Sequence, residues 1–91
     1  MKILAVCGFG VGSSMVLKMT IEKVVKDLSI EAKVENADLS TATSSNADII
    51  FTSHELSEDI STKVSVPVYP IKKYMDKKEV KEAMEDYLKN S

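Results

Sequence analysis

Residues 3–6 (ILAV) are apolar at four consecutive positions, the pattern of a strand covered on both faces. From residue 13 to residue 28 the period changes. Leu17, Ile21, Val24, Val25 and Leu28 recur at helical spacing, while Lys18, Glu22, Lys23, Lys26 and Asp27 fall between them. An amphipathic helix is expected there, with Ser13 or Ser14 as its N-cap and Met15 and Met19 in core or rim packing. Residues 32–37 (AKVENA) form a weaker second strand, and residues 38–48 a polar loop with a turn or two of helix. Residues 48–52 (DIIFT) are another buried strand. Thr52 with Glu55 three positions on has the spacing of a capping box, opening a short helix to about residue 61. Residues 66–71 (VPVYPI) make the last strand; two prolines without an N–H assign it to a sheet edge. Asp76 and Glu79 then cap a helix whose apolar stripe is Val80, Met84, Tyr87 and Leu88.

Strand and helix therefore alternate throughout, with no internal repeat and no long linker. Such alternation implies a parallel sheet with helices on both faces, and right-handed crossovers from a central first strand give the order 2-1-3-4. The expected fold is a three-layer α/β/α domain, flavodoxin- or Rossmann-like, occupying residues 1–91 as one unit. In these sheets ligands bind beyond the carboxyl ends of the strands, at the switch point beside the first strand. Cys7 directly follows that strand.

Composition narrows the function classes. A net charge of −2 offers no excess of cations for nucleic acid. One cysteine makes no internal disulfide, the N-terminal apolar run is too short for a signal segment, and no run approaches the ~20 residues that span a bilayer. A cytoplasmic domain is expected, without direct membrane insertion and without a cofactor. One cysteine and one histidine make no recognisable metal site.

The chemistry concentrates in Cys7, Gly8, Phe9, Gly10, Val11, Gly12, Ser13 and Ser14. No lysine follows Gly12, so the nucleotide-hydrolase P-loop fails; Ser13 stands where G-x-G-x-x-G needs its third glycine. What fits is a cysteine loop of the C-x5-R-[ST] geometry, with Ser13 in place of the arginine. Glycines let successive N–H groups point inward, and the following helix adds its positive end, so both favour an anion. Without phosphate they stabilise a thiolate; with phosphate on sulfur they hold its oxygens. Cys7 is the expected nucleophile and residues 8–14 the expected phosphate cradle, although a free cysteine closing a strand is also a common small core residue.

The other candidates carry less. His54, the only histidine, falls at the end of the third strand, as an auxiliary to phosphate chemistry or as an exposed first-turn residue. Thr52 and Ser53 are expected helix caps, Asn36 and Asp38 a solvated loop at the same rim, and Lys72, Lys73, Lys77 and Lys78 a solvated basic face. Three functions stay open on the residues alone: a phosphoryl carrier, a small cysteine-dependent phosphatase, and a phosphate-sensing module without catalysis. The phosphatase lacks its arginine at position 13 and an evident general acid. For the sensor, Cys7→Ser would be nearly silent.

The segment ILAVCGFGVGSSMVLKM (residues 3–19) resembles the active-site segment of IIB components of the bacterial phosphoenolpyruvate-dependent sugar phosphotransferase system. It is most similar to the L-ascorbate group, where C-G-x-G-x-G-S-S-M follows the first strand, and ADIIFTS (residues 47–53) is similar to that group too. The resemblance implies that Cys7 accepts a phosphoryl group from a phosphohistidine of a IIA component. It implies that Cys7 then passes the group to a sugar, L-ascorbate, entering through a membrane IIC component, with the domain associated peripherally with that permease. Phe9 and Val11 are apolar beside the thiol, as suits a docking surface.

Overall fold

The computed structural model describes residues 1–6, 11–44 and 46–90, without the side chains of residues 11–14, 39 and 44. Eight elements alternate: β1 (Lys2–Val6), α1 (Val11–Asp27), β2 (Lys33–Ala37), α2 (Leu39–Ser44), β3 (Ile49–Ser53), α3 (His54–Lys63), β4 (Val68–Ile71) and α4 (Lys77–Asn90). The four strands form one parallel sheet in the order β2-β1-β3-β4, as the alternation predicts.

The sequence of each strand explains its place. β1 and β3 are buried almost end to end and occupy the centre. β2 carries Lys33 and Glu35 on an edge, where Glu35 meets Lys33 at 3.3 Å and Lys2 at 3.7 Å. Lys33 first, then Lys2, holds the exposed Glu35 carboxyl below its ordinary range. β4 forms the other edge. The Ile50 N–H donates to the Pro67 carbonyl at 3.0 Å, so the ladder uses what a proline retains.

Alternation along the central strands divides the core into two layers. Ile3, Ala5, Ile49 and Phe51 face Leu17, Ile21, Val24 and Val25 of α1 and Val80 and Met84 of α4. Leu4, Val6 and Ile50 face Ala42 of α2 and Ile60 of α3. Each large aliphatic side chain so buried contributes about 1.5–3 kcal/mol. The stripe expected on α4 holds for Val80 and Met84, with Tyr87 packed against them, but Leu88 is 39% exposed. It lies about 80° round the helix from Val80, at the margin of the stripe.

α1 begins at Val11, so neither Ser13 nor Ser14 is its N-cap; both lie in its first turns. At its other end Ile30 N–H donates to Val25 O (2.8 Å) and Ser29 N–H to Lys26 O (3.1 Å), with Ser29 at φ 57°. These are the two bonds of a Schellman motif, in which the left-handed residue is usually glycine. Ser29→Gly removes the Cβ clash and should stabilise the fold by about 0.5–1 kcal/mol in urea unfolding. A lower midpoint in that variant would contradict this account.

Two contacts fasten α1 to the segment after β4. The Thr20 hydroxyl donates to the Tyr74 carbonyl. Lys77 Nζ lies 2.8 Å from Asp27, and this partner holds the exposed Asp27 carboxyl below its ordinary range.

Candidate functional site

The chain leaves β1 through α1 toward β2, then returns through α2 to β3 on the opposite flank. The crossovers diverge between β1 and β3, and a crevice at their carboxyl ends is the binding place such sheets provide. Val6 and Thr52 stand level there in the β1–β3 register. Residues Cys7, Gly8, Phe9 and Gly10 lie outside the described residues. Their described neighbours are Val6, at the end of the central strand, and Val11, the first residue of α1.

Val11, Gly12, Ser13 and Ser14 form the first turn of α1, so the irregular part of the expected cradle is shorter than residues 8–14. The N–H groups of Val11, Gly12 and Ser13 have no acceptor within the helix, and a helix of 17 residues adds its positive end. That turn contains no acidic residue, whereas Glu55 and Glu79 stand in the first turns of α3 and α4. The N-terminus of α1 therefore keeps its attraction for an anion.

Around this end, the other connections are occupied by their own caps. Ser53, not Thr52, is the N-cap of α3, accepting from Leu56 N at 3.3 Å. The helix starts one residue later than the Thr52–Glu55 spacing predicts, so no capping box forms. Asp38 accepts from Thr41 N at 2.7 Å and starts α2, and that N–H holds its carboxyl below the ordinary range. In the connection after β4, Glu79 accepts from Lys72 N and Lys73 N, both at 2.9 Å. Asp76 accepts from Lys78 N at 3.0 Å, as expected of a cap. Lys72, Lys73 and Lys78 are exposed around an open depression of about 330 Å³ that Asp76, Glu79 and Glu82 share, so charge there is mixed.

His54 is the first residue of α3 and is exposed. It lines a hollow of about 200 Å³ with Ser53, Glu55, Ile71, Lys72 and Tyr74 at the carboxyl ends of β3 and β4. The structure thus sets His54 on the carboxyl rim of the sheet, in the first turn of α3. Asn36 ends up exposed near the end of edge strand β2.

Two features differ from what was expected or add to it. Met15 and Met19 are 47% and 53% exposed, against the core or rim placement expected of them. At about 100° per residue, each lies some 160° round α1 from the buried Leu17. With Met75, 81% exposed, and Val16 they form an apolar outer face, and a groove of about 200 Å³ runs between Val16, Met19, Met75, Lys23 and Lys77. The second is Thr52, which is buried with its hydroxyl unpartnered. Among the described residues, no helix is long and apolar enough to cross a membrane.

Comparison with known proteins places this geometry. The family model described as PTS system, Lactose/Cellobiose specific IIB subunit matches residues 2–86. The chain is 33% identical over 88 residues to the ascorbate-specific PTS system EIIB component of Mycoplasma pneumoniae, covering 94% of this chain and 93% of that protein. Its fold superposes with a TM-score of 0.71 on the lactose-specific IIB component domain of the phosphoenolpyruvate:carbohydrate phosphotransferase system from Streptococcus pneumoniae. That alignment covers 98% of this chain and 95% of the other at 14% identity, a likeness of fold.

Proposed function

The chain belongs to the IIB subunit family of the sugar phosphotransferase system, and from that premise we propose that Cys7 is its phosphoryl carrier. The thiolate of Cys7 attacks the phosphorus of a phosphohistidine on a IIA protein. The S–P bond forms as the P–N bond breaks, and the electron pair returns to the imidazole nitrogen, which takes up a proton. In the second half a hydroxyl oxygen of the sugar attacks the same phosphorus. The O–P bond forms, sulfur leaves as thiolate and the hydroxyl proton goes to solvent. The 33% identity to an ascorbate-specific relative favours L-ascorbate as that sugar, brought in by a IIC membrane protein at whose cytoplasmic side this domain works.

The observation that carries this reading is where Cys7 falls along the chain. It stands between the end of central β1 and a helix whose first turn has no carboxylate of its own. Free N–H groups and the positive helix end lower a thiol's pKa from ~8.5, giving a nucleophile that is also a good leaving group. The same N–H groups hold phosphoryl oxygens while charge develops in transfer. Residues 8–14 then bind the phosphoryl group, with His54 at the rim as an auxiliary.

The test is intact mass after incubation with phosphoenolpyruvate, the general phosphocarrier proteins and candidate IIA proteins. One acid-labile phosphoryl group on Cys7 is expected. Hydrolysis of aryl phosphates without such an adduct would favour a phosphatase instead.

The methionine face of α1 is the docking surface in this reading. Methionines adapt to more than one partner, and an exposed apolar patch rimmed by lysines favours protein contact. Met19→Glu should raise the IIA concentration for half-maximal transfer about tenfold and leave the urea midpoint unchanged. An unaltered concentration dependence would move the docking surface elsewhere.

A further inference from the structure

Among the described residues, three polar side chains are buried: Thr20, Thr52 and Ser53. Thr20 donates its hydroxyl to the Val16 and Tyr74 carbonyls, and Ser53 accepts from Leu56 N. Thr52 is 0% exposed and its Oγ1 has no partner. A buried hydroxyl left unpaired keeps the whole cost of its desolvation, and such groups in native proteins call for an explanation.

Among the described residues, the strand neighbours of Thr52 offer no polar side chain. In register its neighbours are Val6 on β1 and Pro70 on β4. Alternation along β3 turns it to the side of Ile50, the layer formed by Leu4, Val6 and Ile60. Valine has the same shape and would satisfy this layer without cost. What separates Thr52 from an ordinary core position is its height in the sheet. It is the penultimate residue of β3, at the carboxyl end, level with the residue that precedes Cys7.

We infer that Thr52 is a positioning residue for the phosphorylated state, its hydroxyl donating to an acceptor that arrives with the phosphoryl group on Cys7. This rests on the carrier function proposed above. A bond made in the loaded state and absent from the free one acts on the difference between them, because only differential interaction shifts an equilibrium. Thr52 thereby sets how strongly the domain holds its phosphoryl group against the IIA donor.

The experiment compares wild type, Thr52→Val and Thr52→Ser, each mixed with a limited amount of phosphorylated IIA protein. Intact mass gives the equilibrium constant for phosphoryl exchange between the two proteins, and urea unfolding gives stability. Thr52→Val should unfold at the same or a higher urea concentration, yet shift the exchange constant about five- to tenfold toward the donor, the worth of one hydrogen bond. Thr52→Ser should stay within about twofold of wild type. An unchanged exchange constant in Thr52→Val, with wild type phosphorylated, overturns the role of Thr52 and leaves the carrier function standing. So does a loss of phosphorylation that tracks loss of folded protein in both variants. Wild type that accepts no phosphoryl group from any IIA protein overturns the carrier function itself, and the role of Thr52 with it.

Discussion

Cys7→Ser is expected to abolish phosphoryl acceptance, lowering the rate of transfer from phosphorylated IIA by about 10³-fold or more. The argument is one of charge. In the carrier function proposed above, a thiol near the N-terminus of α1 is stabilised as thiolate, because the first N–H groups of the helix have no internal acceptors and no carboxylate stands among them. A serine hydroxyl titrates so far above neutrality that the same environment cannot ionise it, and no general base among the described residues is assigned to assist it. Alkylation of the wild-type protein by iodoacetamide across pH 5–9 should report a thiol titrating below the ordinary ~8.5. Rapid acceptance of a phosphoryl group by the serine variant would remove Cys7 from its role. A circular dichroism spectrum matching wild type is the accompanying check that the variant folds.

Phe51→Ala should be the most damaging single substitution in the core. Phe51 is fully buried in the middle of β3, level with Ala5 on one side and Tyr69 on the other. Its ring lies 6.0 Å from that of Tyr69, whose hydroxyl donates to Asp86 at 3.0 Å and so reaches α4. Burial first, then Asp86, pushes the Tyr69 phenol above its ordinary value. Truncating a buried phenylalanine costs about 3–5 kcal/mol, the lost transfer energy plus the cavity left behind. A chain of this length has about 5–14 kcal/mol in all, so the variant should be partly or wholly unfolded near 37 °C. The measurement is the urea midpoint at constant slope. A loss under about 1 kcal/mol would mean that α1 and α4 close over the gap, contrary to the close packing assigned to this layer.

The architecture was legible because its signals are local and redundant. The unbroken apolar run of β1, the two prolines in and just before β4 and the helical stripe from Leu17 to Val25 each point to one position in the fold, and the strand order follows. Errors fell where adjacent residues compete for one role. Thr52 and Ser53 both have a hydroxyl suited to capping, and the Thr52–Glu55 spacing favours the wrong one; Ser53 caps because β3 runs through Thr52. The same competition misplaced the start of α1, since two serines advertise a cap that the helix has already passed at Val11. Met15 and Met19 look like core by composition, and only the buried stripe's position turns them outward. The unpaired hydroxyl of Thr52 has no signature in the sequence, because burial on all sides comes from the strands paired with it. For the site, the helix that follows the expected cysteine loop was placed approximately, and Cys7, Gly8, Phe9 and Gly10 lie outside the described residues.

β1 precedes both of its partners in the chain yet pairs on both flanks, with β2 at residues 33–37 and with β3 at residues 49–53. During synthesis, then, the strand that precedes Cys7 has one flank open until residues 49–53 have emerged. No N-terminal fragment ending before β3 can close the sheet around it, and such a fragment would present an apolar edge that other chains can extend. Folding is therefore expected to be nearly all-or-none across the four strands. A chain cut off in the polar stretch before β3 is therefore an aggregation-prone fragment, not a weakened form of the folded domain.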